Sequence, residues 1–202
     1  LEQWDEAWLY YEMEFALEVD PARRVSLLRD EAATRRSMGD LVGSTRALAR
    51  ARGMDEADPE LRHEYAAAIH DRVQGGEKVS SREKAEATEL LVALAENFDG
   101  EHGLAYSAAA LDLDAGHDRA LQIYVFYSEE LGKVDELPAR YLAYLEANPR
   151  GPLAGPARVV VADSYESAGQ FADAIQVLEP LRAAGDHDAA ESHAAAYAAV
   201  SA

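Results

Sequence analysis

The strongest constraint in this sequence is a pattern that recurs at nearly constant spacing. In the stretch "FADAIQVL", Phe171 is followed three residues later by Ala174 and four residues after that by Leu178. The same frame of an aromatic, apolar or small residue, a small or apolar residue and an apolar residue begins at four other positions: Trp4, Leu41, Gly100 and Val134. Successive starts lie 37, 59, 34 and 37 residues apart, so three gaps are close to one value. A period of this length is typical of stacked helical repeats.

The spacing of apolar residues inside each segment predicts helices. Leu90, Leu91 and Leu94 are one example of helical periodicity, and we find no sustained period-two run rich in β-branched residues. Helix ends are marked as well, because Ser80 and Glu83 form the sequence signature of a capping box. We therefore predict an all-α chain of about 11 antiparallel helices.

Composition excludes several classes of protein. The hydrophobic content of 49% is too high for a disordered chain, and the longest uncharged runs are far shorter than a membrane span needs. The chain has no cysteine, so a disulfide framework and a thiolate metal site are both excluded. We expect an acidic, bacterial, cytoplasmic protein that does not insert into membranes.

The charge is unevenly distributed along the chain. The formal net charge is −19, which disfavours nonspecific binding to nucleic acid or to anionic membrane. Residues 21–52 nevertheless contain eight arginines and three acids, a local charge of +5, and the remainder carries −24. Nucleic-acid binding through this basic segment is therefore the least favoured of the binding hypotheses.

The sequence contains no convincing catalytic signature. His63 and His70 are seven residues apart, about 10 Å along a helix axis, which is too far for both to bind one zinc ion. Phosphate-loop, dinucleotide-binding and nucleophile-elbow motifs are all absent from the sequence. We predict that the chain is not an enzyme and that it holds neither a cofactor nor a metal ion.

The best repeat unit resembles the tetratricopeptide repeat (TPR), a helix–turn–helix unit of about 34 residues. Ala162 and Tyr165 fit the small and aromatic pair of its first helix, Gly169 fits the turn, and Ala174 and Leu178 fit the second helix. The resemblance implies a right-handed α–α superhelix, and we expect residues 1–202 to form a single TPR-like solenoid. A nonrepetitive helical bundle is the alternative.

The 59-residue gap is the main departure from this family pattern. We assign its excess to an irregular inserted helix and loop at about residues 59–81, with the helix running from Pro59 to about Val73. A second departure is Pro180, which lies inside a second helix and is expected to kink or end it.

Both ends of the sequence are expected to be truncated within a repeat. The chain begins in a second helix and stops in a first helix, predicted at residues 187–200. The aromatic residues near the start would then form an exposed face or pair with another repeat, and self-association through the open ends is an alternative: Trp4, Trp8, Tyr10 and Tyr11.

The resemblance also implies where a ligand binds. In TPR proteins, the first helices line a concave groove, and residues one, five and eight positions after the first core residue contact a bound peptide. Counting from Leu28 gives Arg29, Ala33 and Arg36, and the other first helices supply further contacts. The remaining candidate contacts come from three other first helices and are Gln122, Phe126 and Glu129, then Val159, Asp163 and Glu166, and, in the fourth helix pair, Thr88, Val92 and Ala95.

These positions favour a scaffold that binds a segment of a partner protein. Arg29 and Arg36 are seven residues apart, point nearly the same way on a helix and suit the acidic end of a ligand. Two alternatives remain open. The arginines instead pair with acids of adjacent repeats and stabilise stacking, or the chain is a regulatory, ligand-sensing arm of a larger enzyme or transcription regulator.

Overall fold

A computed structural model describes residues 2–183 of the chain, with side chains from residue 9 onward. All regular secondary structure in that range is α-helical, which confirms the all-α prediction. The helices of the described range are α1 (Glu2–Leu17), α2 (Pro21–Ser37), α3 (Leu41–Arg52), α4 (Pro59–Gln74), α5 (Ser81–Asn97), α6 (Gly100–Leu113), α7 (Asp118–Glu130), α8 (Leu137–Ala147), α9 (Ala154–Ser167) and α10 (Phe171–Ala183). The helix predicted at residues 187–200 lies outside the described range.

The chain divides into two compact units, an N-terminal unit of residues 1–91 and a C-terminal unit of residues 92–202. In the N-terminal unit, α1 packs on α2, α2 on α3 and α3 on α4. In the C-terminal unit, each helix from α6 to α10 packs on the next. Short loops force consecutive helices to lie side by side, so this order of contacts is the helix-pair array that the repeat pattern predicts.

Aspartate caps begin two of the N-terminal helices. The Asp20 carboxylate accepts a hydrogen bond from the Ala22 amide at 3.1 Å, and the Asp58 carboxylate accepts one from the Glu60 amide at 2.8 Å. Both aspartates are followed by a proline, which suits the first helical position because an amide there has no partner within the helix. Local chemistry therefore fixes where α2 and α4 begin.

The predicted capping box at the start of α5 is confirmed. The Glu83 amide donates to the Ser80 hydroxyl oxygen at 3.2 Å, and the Ser80 amide donates to the Glu83 carboxylate at 3.0 Å. The hydrogen bonds from Ser80, supported by Arg72, lower the pKa of Glu83. Two amides that would otherwise lack partners are thus satisfied reciprocally.

The recurring frame locates most of the second helices. Three helices begin at the residue that the frame predicts: Leu41, Gly100 and Phe171. The start predicted at Val134 is wrong, because α8 begins three residues later at Leu137. Pro138 lies in the first turn of α8, the position where a residue without an amide is best tolerated.

The same frame also identifies residues that face a neighbouring helix. In each of the four matches whose side chains are described, the fourth and eighth positions of the frame are buried. These pairs are Ser44 and Leu48, Gly103 and Ser107, Leu137 and Tyr141, and Ala174 and Leu178. The two positions lie about one turn apart on the same helix face, and in three of the four pairs the first residue is small enough to let two helices approach closely.

Each unit has its own apolar core. In the N-terminal unit, Leu28, Ala51 and Leu61 are fully buried together, and Phe15 of α1 packs against them. In the C-terminal unit, Ala162 of α9 is buried with Ala174 and Leu178 of α10. These clusters join consecutive helices, so every helix depends on its neighbours for burial.

Details at the two ends of the described range differ from expectation. Tyr10 is 70% exposed, as predicted for an aromatic face, but Tyr11 is half-buried and its hydroxyl lies 3.5 Å from that of Thr34 on α2. The side chains of Trp4 and Trp8 lie outside the described residues. Pro180 does not end α10, which includes Ala183 three residues later, although proline lacks the amide that would bond the Gln176 carbonyl.

A test of the helix-packing argument uses two glycines. At Gly103 on α6, a β-carbon would overlap the Tyr127 ring of α7 and lie 2.5 Å from the Phe98 carbonyl oxygen. Replacing a helical glycine with alanine ordinarily stabilises a helix by about 1 kcal/mol. We expect Gly103→Ala to destabilise the protein instead, by roughly 1–3 kcal/mol, because the added carbon overpacks this contact.

The matched control is Gly155→Ala on α9, where the nearest atom to a new β-carbon is the Leu181 Cδ2 at 3.8 Å. This variant should be as stable as the parent or slightly more so. Urea unfolding followed by circular dichroism measures both variants. A Gly103→Ala midpoint equal to or above the parental one would contradict the close α6–α7 contact.

Candidate functional site

An open groove of about 410 Å³ lies between α2 and α4 in the N-terminal unit. We call it the α2–α4 groove. Among its lining residues are Arg29, Ala33 and Arg36 from α2, Leu48 from α3, and His63 and Glu64 from α4. The three positions that the resemblance predicts to touch a ligand therefore lie together on one groove.

Helical geometry explains this arrangement. Positions spaced four and three residues apart share one helix face, so Arg29, Ala33 and Arg36 project together. Leu28 and Ala32, which directly precede Arg29 and Ala33 in the sequence, are buried against the core. The burial of α2 on its apolar side thus aims the predicted ligand contacts into the groove.

Arg29 is held by two carboxylates of α4. Its Nε and Nη2 atoms donate to both oxygens of Glu64 at 3.0 and 2.6 Å, and Nη2 also donates to Glu60 at 3.0 Å. The hydrogen bond with Glu64 raises the pKa of the Arg29 guanidinium, although burial opposes this effect. The bidentate pair fixes the guanidinium in one orientation across the groove.

Arg36 lies about two helical turns after Arg29 on α2 and makes the corresponding contact with Asp71 of α4. Each of the two α2–α4 pairs joins residues 35 apart in sequence, Arg29 with Glu64 and Arg36 with Asp71. That separation is close to the repeat length, as expected when the two helices stand in equivalent positions of a stacked array. In the structure, both arginines therefore form ion pairs that bridge α2 and α4.

Four of the other six arginines of the basic segment also pair with acids. Their ion pairs are Arg23 with Glu14, Arg35 with Glu31 and Asp40, Arg50 with Glu31 and Glu12, and Arg52 with Glu86. Three of these five acids lie outside the basic segment, Glu12 and Glu14 on α1 and Glu86 on α5. The local charge of +5 is thus largely compensated inside the folded N-terminal unit.

A second open groove, of about 350 Å³, lies in the C-terminal unit between the end of α5 and α7. We call it the α5–α7 groove. Its walls include Ala95 and Glu96 from α5, and Arg119, Gln122 and Phe126 from α7. The structure therefore brings together Gln122, Phe126 and Ala95, all of which the resemblance predicts as ligand contacts.

Phe126 is the most distinctive residue of this groove. It is 60% exposed, and its ring packs edge-on against the Tyr127 ring with 5.1 Å between centroids. At the rim, the Arg119 Nε donates to Glu96 at 2.7 Å. The α5–α7 groove thus combines an exposed aromatic surface with a charged edge that is already paired.

The remaining predicted contacts are not part of either groove. Glu129 and Asp163 are exposed, and Val159 and Glu166 are half-buried. Thr88 and Val92 of α5 are buried and therefore inaccessible to a ligand.

Sequence reasoning missed the opposite wall of the α2–α4 groove, formed by His63 and Glu64 on α4. A usable signal was present, since the acids lie one repeat length after the arginines that they bind.

Two kinds of site are absent from the part of the chain that the structure describes. Within residues 2–183, no group of three or more histidine, aspartate or glutamate side chains is arranged to hold a metal ion. None of the described helices combines the length and apolar character that membrane crossing requires.

Comparisons with known proteins add little to this description. No family model matches the sequence, and no curated protein matches it. A solved structure of a thermophilic TPR protein from Thermus thermophilus is similar, with 16% sequence identity and a TM-score of 0.32. The match covers 86% of this chain and 98% of that one. Because the sequence identity and the TM-score are both low, the fold assignment rests on the helices and their contacts in the structure.

The stacking contact between α2 and α4 is tested by charge exchange. Arg29→Glu should place three carboxylates together and destabilise the protein by about 1 kcal/mol. The double variant Arg29→Glu, Glu64→Arg restores opposite charges and should recover most of that loss. Urea unfolding followed by circular dichroism gives the change in free energy of unfolding.

The matched control is Arg150→Glu, which alters the net charge equally at an exposed position of the C-terminal unit. It should leave the unfolding midpoint of the N-terminal unit unchanged. If Arg29→Glu unfolds at the parental urea concentration, or if the exchanged pair is no better than the single variant, the pair has no stacking role.

Proposed function

We propose that this chain is a protein-interaction module that binds a segment of a partner protein in its grooves, with no catalytic step. One observation supports the proposal most directly. In both units, residues that the family resemblance predicts as ligand contacts line an open groove: Arg29 and Arg36 in one, Gln122 and Phe126 in the other. Arrays of paired helices offer extended surfaces of this kind for binding polypeptide segments.

The α5–α7 groove suits an apolar side chain of the ligand. Phe126 offers an exposed aromatic face in the wall of this groove, whereas Ala95 is fully buried beneath the groove. Burying an aromatic anchor in a groove is among the largest contributions to binding at protein interfaces. We assign Gln122 to a hydrogen bond with the ligand backbone, because its amide lies beside that apolar contact.

The α2–α4 groove suits an acidic group of the ligand at Arg36. The Arg36 side chain is 57% exposed and has one carboxylate partner, whereas Arg29 is 32% exposed and has two. A ligand carboxylate can exchange with Asp71 at Arg36 at lower cost than with Glu64 at Arg29. Glu129, Asp163 and Glu166 remain proposed contacts for basic groups of a ligand bound to the C-terminal unit.

Selection from a displayed library of short random peptides, with the whole chain as bait, tests this function. Peptides that are enriched are synthesised, and their Kd values are measured for the parent and two variants. Phe126→Ala removes the anchor of the α5–α7 groove, and Ala33→Trp fills the α2–α4 groove. We expect each enriched peptide to lose about tenfold or more in affinity for one of the two variants.

The matched control is Val134→Ala, which truncates a side chain that is 45% exposed and lies outside both grooves. Its affinity for every peptide should equal that of the parent. Enrichment of no peptide above background, or equal binding of enriched peptides to the parent, Phe126→Ala and Ala33→Trp, would contradict the proposal. Circular dichroism of each variant shows whether the fold is retained.

A further inference from the structure

Helix α1 touches the rest of the N-terminal unit through a narrow row of side chains. Among its residues 9–17, Tyr11 and Phe15 are half-buried and the others are exposed. None of these nine side chains is fully buried, whereas α2 buries four residues. Because apolar burial supplies most of the stability of a packed helix, α1 is held less firmly than α2.

The Phe15 ring is held by two arginines of the neighbouring helices. The guanidinium carbons of Arg24 on α2 and Arg50 on α3 lie 4.5 and 4.8 Å from the ring centroid, a distance at which a cation is attracted to an aromatic face. The ring also packs against the buried cluster of α2, α3 and α4: Leu28, Ala51 and Leu61. We call these two arginines and this cluster the Phe15 clamp.

Two carboxylates that precede Phe15 add ion pairs to this contact. Glu14 pairs with Arg23 at 3.1 Å, and Glu12 pairs with Arg50 at 3.9 Å. The net charges support the same arrangement, since residues 1–20 contain seven acids and no basic residue, whereas residues 21–52 carry +5. The surface that α1 covers is therefore complementary to an aromatic side chain with carboxylates one and three positions before it on a helix.

These ion pairs can be given up at modest cost. Arg50 also pairs with Glu31 of α2 at 3.7 Å, so it keeps a carboxylate partner when Glu12 leaves. The side chains of Arg23 and Glu14 are 50% and 52% exposed, and pairs this accessible to water contribute little to stability. Release of α1 therefore costs chiefly the contacts of Phe15.

The short connection between α1 and α2 favours α1 over an identical helix from a second copy. Three residues, 18–20, join the two helices, so α1 has a high effective concentration at the clamp. Exchange of α1 between two copies would form no contact that each copy lacks. A segment of another protein can instead carry further contacts of its own, and those additional contacts allow it to displace α1.

We propose that the Phe15 clamp is a binding site for a helical segment of a partner protein, and that α1 occupies it as an intramolecular competitor. The ligand has the chemistry that α1 displays, an aromatic residue preceded by two carboxylates on a helix. None of the clamp residues lines the α2–α4 groove or the α5–α7 groove. The inference therefore does not depend on the proposed groove binding.

A labelled peptide of residues 2–20 of this chain is the probe, and fluorescence anisotropy measures its Kd. Glutamine replaces four exposed apolar residues of α1 in this peptide, so that only the Phe15 side can account for binding: Leu9, Tyr10, Met13 and Leu17. The control peptide carries the further change Phe15→Ala. It should bind an unoccupied clamp about tenfold or more weakly than the first peptide.

Two variants of the whole chain separate an empty clamp from a filled one. In the open variant, Glu12→Lys, Glu14→Lys and Phe15→Ala remove the contacts of α1 with the clamp. The matched control changes three residues on the exposed side of the same helix: Tyr10→Ala, Met13→Lys and Leu17→Lys. We expect the open variant to bind the first peptide at least tenfold more tightly than the parent or the control variant, since α1 fills their clamps.

Hydrogen exchange of the parent gives a second readout that needs no substitution. With the first peptide at about 1 mM, comparable with the effective concentration of a short tether, a fraction of the molecules should exchange α1 for the peptide. The amides of α1 then lose protection, while those of α2 and α3 keep theirs. The Phe15→Ala peptide at the same concentration should leave the protection of α1 unchanged.

Several outcomes would overturn the proposal. Equal Kd values of the two peptides for the open variant would exclude an aromatic site, and equal binding by the parent and the open variant would exclude competition by α1. The same holds if an open variant with parental circular dichroism binds neither peptide, or if the peptide leaves α1 protected in the parent. A parent that sediments as a dimer, with the open variant a monomer, would identify a second copy of α1 as the occupant.

Discussion

Burial of each helix against the next one in sequence is the interaction on which the rest of the structure depends. Small residues at the contact, such as Gly103 against Tyr127 and Ala162 against Leu178, let neighbouring helices approach closely. An isolated helix of this length is marginal in water, so packing supplies most of its stability. Within each unit, these contacts also position the helices that line its groove.

Ion pairs form a second set of contacts between helices that are not adjacent in sequence. Arg29 and Arg36 of α2 reach Glu64 and Asp71 of α4, and Arg52 of α3 reaches Glu86 of α5. Several of these pairs are partly exposed, so each contributes modestly to stability. Together they fix the register between helices and neutralise a segment that looks strongly basic in the sequence.

The candidate binding surfaces differ in how their chemistry is satisfied within the protein. In the α2–α4 groove, the charges already have partners, so a ligand must compete with Glu64 and Asp71 for the arginines. The α5–α7 groove instead leaves an apolar side chain, that of Phe126, in contact with water. Covering that side chain releases water without breaking an existing contact, which favours this groove energetically as a docking surface.

The sequence by itself determined the helices, most of their boundaries and the residues that face a neighbour. These follow from local chemistry, as at Asp20, Ser80 and Glu83, and from a periodic frame whose fourth and eighth positions are buried. Only the tertiary structure decided which acid meets which arginine, and that Tyr11 lies against α2 while Tyr10 is exposed. Those outcomes depend on which helices are neighbours and on how each helix is rotated about its own axis. The sequence of a single helix specifies neither of these.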